Sequence, residues 1–333
     1  MYISDKAAED EYVQKELARI AIEGNNQFER GSAIKKLADQ HLLRRLALSD
    51  ETAFIRREAT LRLDDQQTLI SIVLEDDDQQ VRQAAVIAIS DQQILSQVVT
   101  TDPDATVREK AVKSLNRENQ QLLCQIAKND PAWTVRFAAV WKVDDQEILA
   151  QIAIKDRKDE VRNAAIGNLN DETILTEIAL TDNSFKVRET AAGKIHQADL
   201  LAKIAKTSYD EEIRELVVDR IVDTSLLLEM AQNDRDRWVR DTAVSKLEIN
   251  QRTMPVLCKI AMTDPDENVR YTAMKKIDDH DHLVDIVADS NYTDSCLVAI
   301  DKIDSIERLA MLRMSAPATL QQHIVKRINE LSE

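Results

Sequence analysis

Apolar residues along this chain recur at intervals of three and four, in stretches of about ten residues broken by an aspartate, an asparagine or a few polar positions. That spacing gathers them on one side of a helix, and the breaks come too often for helices of more than about three turns. The stretches come in pairs. Between Asp156 and Asp182, Val161, Ala165, Ile166 and Leu169 predict one helix, called helix B. Asp171 then caps a second, helix A, in which Ile174, Leu175, Ile178 and Ala179 form the buried stripe.

Ten arginines mark a fixed period: Arg30, Arg56, Arg82, Arg108, Arg136, Arg162, Arg188, Arg214, Arg240 and Arg270. Seven of the nine steps are 26 residues, and the other two are 28 and 30. From Arg56 onward each arginine follows Val or Ile, with Ala three residues later (Val217 once) and Leu, Ile or Val seven later. Helix pairs this short do not fold alone, so neighbours must stack to share a core. The alanine lets adjacent helices approach closely.

An aspartate stands six residues before eight of the arginines: Asp50, Asp76, Asp102, Asp130, Asp156, Asp182, Asp234 and Asp264. Pro103, Pro131 and Pro265 follow three of them, as expected of an N-cap followed by proline at the first helical position. The Asp/Arg row could be a charged functional surface or a hydrogen-bond ladder tying adjacent turns together. A catalytic group is not copied ten times, so a ladder is expected.

The pattern D-x5-R with V-R-x-x-A-x-x-x-L, covering nearly the whole chain, resembles the second helix of HEAT-type repeats. Its short period is closest to bacterial HEAT-like and leucine-rich-repeat-variant units. The resemblance implies an all-α fold, a right-handed α-solenoid of eleven to twelve stacked two-helix HEAT-like repeats. No glycine-rich phosphate loop, Ser/His/Asp set or Cys/His set appears, so a non-enzymatic role is expected. The cysteine cluster of the variant family and the His-Glu motifs of HEAT-type hydroxylases are missing, so no cofactor or metal is carried over. Residues 1–333 read as a single array, with 1–40 as the N-terminal capping repeat and 290–333 as degenerate C-terminal capping repeats.

Residues 131–142, PAWTVRFAAVWK, carry two apolar sets. On a wheel of about 100° per residue, Val135, Ala139, Val140 and Val143 share the core side, and Phe137 and Trp141 point away from it. Trp133, near the helix start, is harder to place. Equivalent positions in other repeats are mostly polar, with Leu61 and Ile87 as apolar exceptions. Gly167 and Gly193 follow Trp141 in the next two repeats and leave room beside it. Phe185, Glu189, Glu215, Asp219 and Asp241 continue the row as a rim and an acidic wall. In solenoids of this kind the B helices line the concave side. The row therefore reads as a partner-binding surface for a protein or peptide with basic and apolar residues. The alternative is that Trp141 folds over Gly167 as local packing.

A net charge of −16 argues against nucleic acid as a partner and favours basic ones. The runner-up reading is a nucleic-acid binder or repair protein, by architectural likeness to HEAT-like DNA glycosylases. Trp133, Trp141 and Asp159 or Asp219 would be its counterparts. A basic row does recur six residues after the arginines, at Lys36, Arg62, Lys142, Lys194, Arg220, Lys246, Lys276 and Lys302. There it would complement the helix C-termini or track phosphates. The run Asp278–His282 reads as helix capping rather than metal binding, and Cys124 and Cys258 read as buried thiols. No stretch approaches the length of a membrane span, and the acidic start lacks a leader pattern. Three cysteines suit a reducing compartment, so a cytoplasmic location is expected.

Overall fold

A computed structural model describes residues 2–332, with side chains from Asp10 onward. Met1 and Glu333, the outermost residues of the expected capping repeats, lie outside the described residues. The chain is an all-α solenoid. The described residues form twenty-four helices and no strand, paired into twelve hairpins from α1 (Tyr2–Glu23) to α24 (Ala318–Ser332). All ten marker arginines lie on the second helix of a hairpin. The array divides into two compact units, Met1–Asn170 and Asp171–Glu333.

Both units bury the same rows. In α10 (Trp133–Val140) and the turn after it, Val135, Ala139, Val140 and Val143 are at most 1% exposed. Leu149, Ile152 and Ala153 of α11 (Gln146–Lys155) are buried as well. Each large aliphatic side chain so buried contributes about 1.5–3 kcal/mol. Because short hairpins supply so few of these, the fastening between repeats decides whether the stack holds.

The arginines provide one fastening. Arg82 Nε and Nη2 donate to both carboxylate oxygens of Asp102, in the next repeat, at 2.8 and 3.1 Å. Its Nη1 donates to the backbone oxygen of Asp76, in its own turn, at 3.0 Å. Arg108 does the same with Asp130 (2.9 and 3.0 Å) and the Asp102 carbonyl (2.9 Å). Arg136 pairs with Asp156 at 2.7 and 2.8 Å. In the second unit Arg214 pairs with Asp234 and Arg240 with Asp264 in the same way. Arg108 and Asp130 are nearly buried, and the carboxylate raises the guanidinium pKa above its ordinary value. Such bidentate, charge-assisted pairs are among the strongest protein hydrogen bonds.

The aspartates do not N-cap helix B. They are C-caps of helix A: Asp76 and Asp102 end α5 (Gln66–Glu75) and α7 (Gln92–Thr101). The N-caps come two residues later, at Asp78 and Asp104. The reason is an Asx turn, in which the ladder carboxylate accepts from the N–H two residues on, as Asp76 does from Asp78 at 2.9 Å. Pro103, Pro131 and Pro265 accordingly sit between helix A's C-cap and helix B's N-cap, outside both helices. Where the ladder residue is Ser208, the N-cap Asp210 of α16 (Glu211–Val218) takes over as the partner of Arg188.

A second fastening lies at the opposite end of the hairpins, on glutamines at the start of helix A. Gln120 Nε2 donates to the Lys142 carbonyl at 2.9 Å, and its Oε1 accepts from Asp144 N at 3.0 Å. Gln40, Gln66 and Gln146 bridge to the next repeat in the same register. The basic row adds a third. Lys142 Nζ caps the Lys113 carbonyl at 2.6 Å, Arg220 Nη1 that of Ala192 at 3.0 Å, and Lys302 Nζ that of Met274 at 2.9 Å. These carbonyls end the preceding B helix, so the cations satisfy orphan acceptors there. Burial draws the Lys142 and Lys276 amines below their ordinary range.

Candidate functional site

Helix B turns one side to the core, so residues one and five places after the arginine are pushed to the other side. These are Phe137 on α10, half-buried, and Trp141 at its C-cap, 47% exposed. Trp133, one turn earlier, is 41% exposed. The three rings stack edge to face, with centroids 6.4 and 6.1 Å apart. The ammonium of Lys158, held by Glu160 at 3.0 Å, lies 5.5 Å from the Trp133 ring centroid. This ridge is solvated and already accommodates a cation.

Gly167 does not leave an empty pocket beside Trp141. A Cβ built there would meet the indole at 3.6 Å, ordinary contact, because the ring lies over the glycine. Gly193, in the second unit, does have open space, with nothing within 4 Å of such a Cβ.

In the second unit, α14 (Phe185–Gly193), α16 and α18 (Arg237–Lys246) frame a depression of about 440 Å³. Phe185, Glu189, Glu215 and Asp219 line it together. Sequence reasoning missed its other lining residues, among them Glu212, Leu216 and Thr242, because they lie two places to either side of the arginine. On the wheel that offset lies on the outward side, next to the position five places after the arginine. Glu189 is paired with Lys186 at 2.7 Å, and Glu212 and Glu215 make no ion pair among the described residues. Burial raises the Glu215 carboxyl above the ordinary range, and the charges of Asp236, Glu212 and Asp241 raise it further, opposed by the Thr242 hydroxyl. Asp241 does not line the depression, and its buried Oδ1 has no hydrogen-bond partner among the described residues.

Other candidates resolve locally. Asp279 caps α21 (His280–Asp289), accepting from Asp281 N and His282 N, and no metal-binding group of side chains occurs among the described residues. Cys258 is buried, which pushes its thiol up to about 11. Cys124, at the same place on α9 (Gln120–Asn129) as Cys258 on its own helix, is only half-buried, contrary to the expected core position. Among the described residues no helix is long and apolar enough to cross a membrane.

A family profile described as HEAT repeats matches residues 66–144. A solved leucine-rich-repeat variant with a novel repetitive structural motif is 19% identical, over 73% of this chain and 88% of that one, with a TM-score of 0.49. The S. pombe condensin Cnd3–Cnd2 subcomplex gives 13% identity, 95% and 58% coverage, and 0.39. Importin beta gives 14% identity, 95% and 53% coverage, and 0.39. No curated protein matches the chain. Across the described residues the period and the hairpins repeat the kind of unit that the HEAT-repeat profile matches over 66–144.

Proposed function

We propose that this protein is a non-enzymatic interaction scaffold whose helix-B faces bind a protein or peptide carrying basic and apolar residues. The observation that carries the reading is the aromatic ridge: Trp133 and Trp141 stand 41% and 47% exposed on a helix whose core row is already filled beneath them. Large aromatics cost solubility when exposed and supply most of the energy when buried at an interface. The acidic depression of the second unit supplies matching charge for lysine or arginine side chains. The nucleic-acid reading has less support, since cations of the basic row are engaged with backbone carbonyls.

The test is a fluorescence-anisotropy titration with a labelled peptide alternating Lys or Arg with Leu. Wild-type protein should bind it, and Trp141→Ala should weaken binding by about 2 kcal/mol, the loss typical of an aromatic hot spot. Equal binding by both proteins, or tighter binding of a duplex oligonucleotide than of the peptide, would refute the reading.

A further inference from the structure

A second depression lies on the helix-B face of the first unit, and its chemistry is opposite. It spans α4 (Ala53–Thr60), α6 (Gln79–Ala88) and α8 (Ala105–Ser114), with a volume of about 480 Å³. Arg57, Leu61, Gln79, Gln83, Ile87 and Lys110 are among its lining residues, and no carboxylate is. In a chain with a net charge of −16, a depression framed by two cations and no acid is locally reversed. Leu61 and Ile87 are 48% and 59% exposed, at a position that is mostly polar or glycine in the other repeats. Lys110 makes no ion pair among the described residues, whereas Lys113 close by is paired with Glu109 at 2.5 Å. The guanidinium of Arg57 touches the buried Glu58 at 3.4 Å and keeps over a third of its side chain in solvent.

We infer that this groove is a separate docking site for an extended peptide segment with aliphatic residues between two carboxylates. Charge complementarity selects the acids, and Leu61 and Ile87 select the aliphatic side chains between them. Geometry sets the spacing. Arg57 and Lys110 lie two B helices apart, about 18 Å at a packing distance of about 9 Å per helix layer. An extended chain covers that distance in about five or six residues. Between the cations, Gln79 offers a donor and an acceptor to the peptide backbone, while Gln83 Nε2 donates to the Thr106 hydroxyl.

The probe is a fluorescein-labelled heptapeptide with Glu at both ends and Leu and Ile at its third and fifth places, separated by glycines. It is titrated against the full chain by anisotropy. The expected result is binding that Lys110→Glu weakens at least tenfold, that Arg57→Gln and Ile87→Ser each weaken severalfold, and that falls as NaCl is raised from 50 to 500 mM. The same peptide with Lys at both ends should bind at least tenfold more weakly. Unchanged circular dichroism and melting of each variant exclude misfolding as the cause, and a variant that fails this control is replaced by Lys110→Gln, for which the same direction is expected. No binding at millimolar protein, equal affinity for the Lys-ended peptide, or indifference to Lys110→Glu would overturn the inference. The ridge and the acidic depression take no part in this experiment, so its failure leaves the basic-partner reading standing.

Discussion

Between Met1 and Asn170 the repeats are crossed by an arginine pair at one end and a glutamine bridge at the other, while between Asp171 and Glu333 the glutamine register holds Glu172, Ala198, Thr224, Met254, His280 and Ile306. Glu172 still accepts from His196 N and Gln197 N, at 2.8 and 2.9 Å, and His280 meets Asp304 at 3.0 Å. The intervening positions offer nothing equivalent. The arginine ladder also becomes irregular there, with Asp210 and Asp294 replacing the missing turn aspartates at Ser208 and Ser290. Asp294 is 45% exposed, against 3–6% for Asp102, Asp130 and Asp156 in the first unit. The glutamine bridge is thus nearly confined to the first unit, whereas in the second the arginine rungs to Asp210, Asp234 and Asp264 stay dry and the rung to Asp294 is open to solvent. In a linear array, where stability is a sum of nearest-neighbour terms, the second unit should open first.

Breaking the ladder where it is dry should cost most. Arg108→Ala leaves Asp130 as an uncompensated buried charge, and such a loss costs about 3–5 kcal/mol. Arg270→Ala leaves its partner in water and should cost about 1–2 kcal/mol. Urea unfolding followed by circular dichroism distinguishes the two, and equal costs would mean that burial of the rung is irrelevant. The glutamine bridge is a smaller effect. Gln120→Ala removes two neutral inter-repeat bonds and should cost about 1 kcal/mol, whereas Thr224→Ala, at the same register in the second unit, should cost almost nothing. Amide hydrogen exchange around Lys142 and Asp144 should rise in the first variant.

Charge on the second unit gives a pH dependence of binding. A bound cation needs Glu215 ionised, and this carboxyl takes up its proton at a higher pH than an ordinary glutamate. Affinity for a basic peptide should therefore fall as pH drops from 7 into the acid range. Glu215→Gln should bind more weakly at pH 7 and with a flatter profile. For folding the sign is reversed: a raised carboxyl pKa contributes stability at acid pH that is lost as pH rises through it. A wild-type affinity that does not change over this range would remove Glu215 from the binding account.

The repeat and the orientation of helix B were legible because the arginine, the alanine three later and the aliphatic seven later fix a helical phase. The role of the aspartates was half legible. Their spacing identified a ladder, but where helix A ends depends on an Asx turn that spacing alone does not show. The glutamine bridge left a signal, Gln14, Gln40, Gln66, Gln92, Gln120 and Gln146 in phase with the arginines. The spacing alone does not assign it a bridge, because glutamine at an exposed helix start serves solvation equally well. Glu212 and Thr242 were missed because a depression formed by three stacked helices draws residues from the flank of the stripe as well as its crest. The Gly167 position shows the converse: a missing side chain was read as space, and the Trp141 ring fills it.

The claim that α10 separates a folding face from a binding face is tested most directly by two neighbouring truncations, Val140→Ala and Trp141→Ala, in the same denaturant melt. Val140 is fully buried and Trp141 is 47% exposed. The account predicts a loss of about 1–3 kcal/mol for the small valine and no more than about 1 kcal/mol for the much larger tryptophan, whose edge-to-face contact is the main thing removed. A loss of several kcal/mol from Trp141→Ala, exceeding that from Val140→Ala, would mean that the ridge belongs to the core and is not a surface held out for a partner.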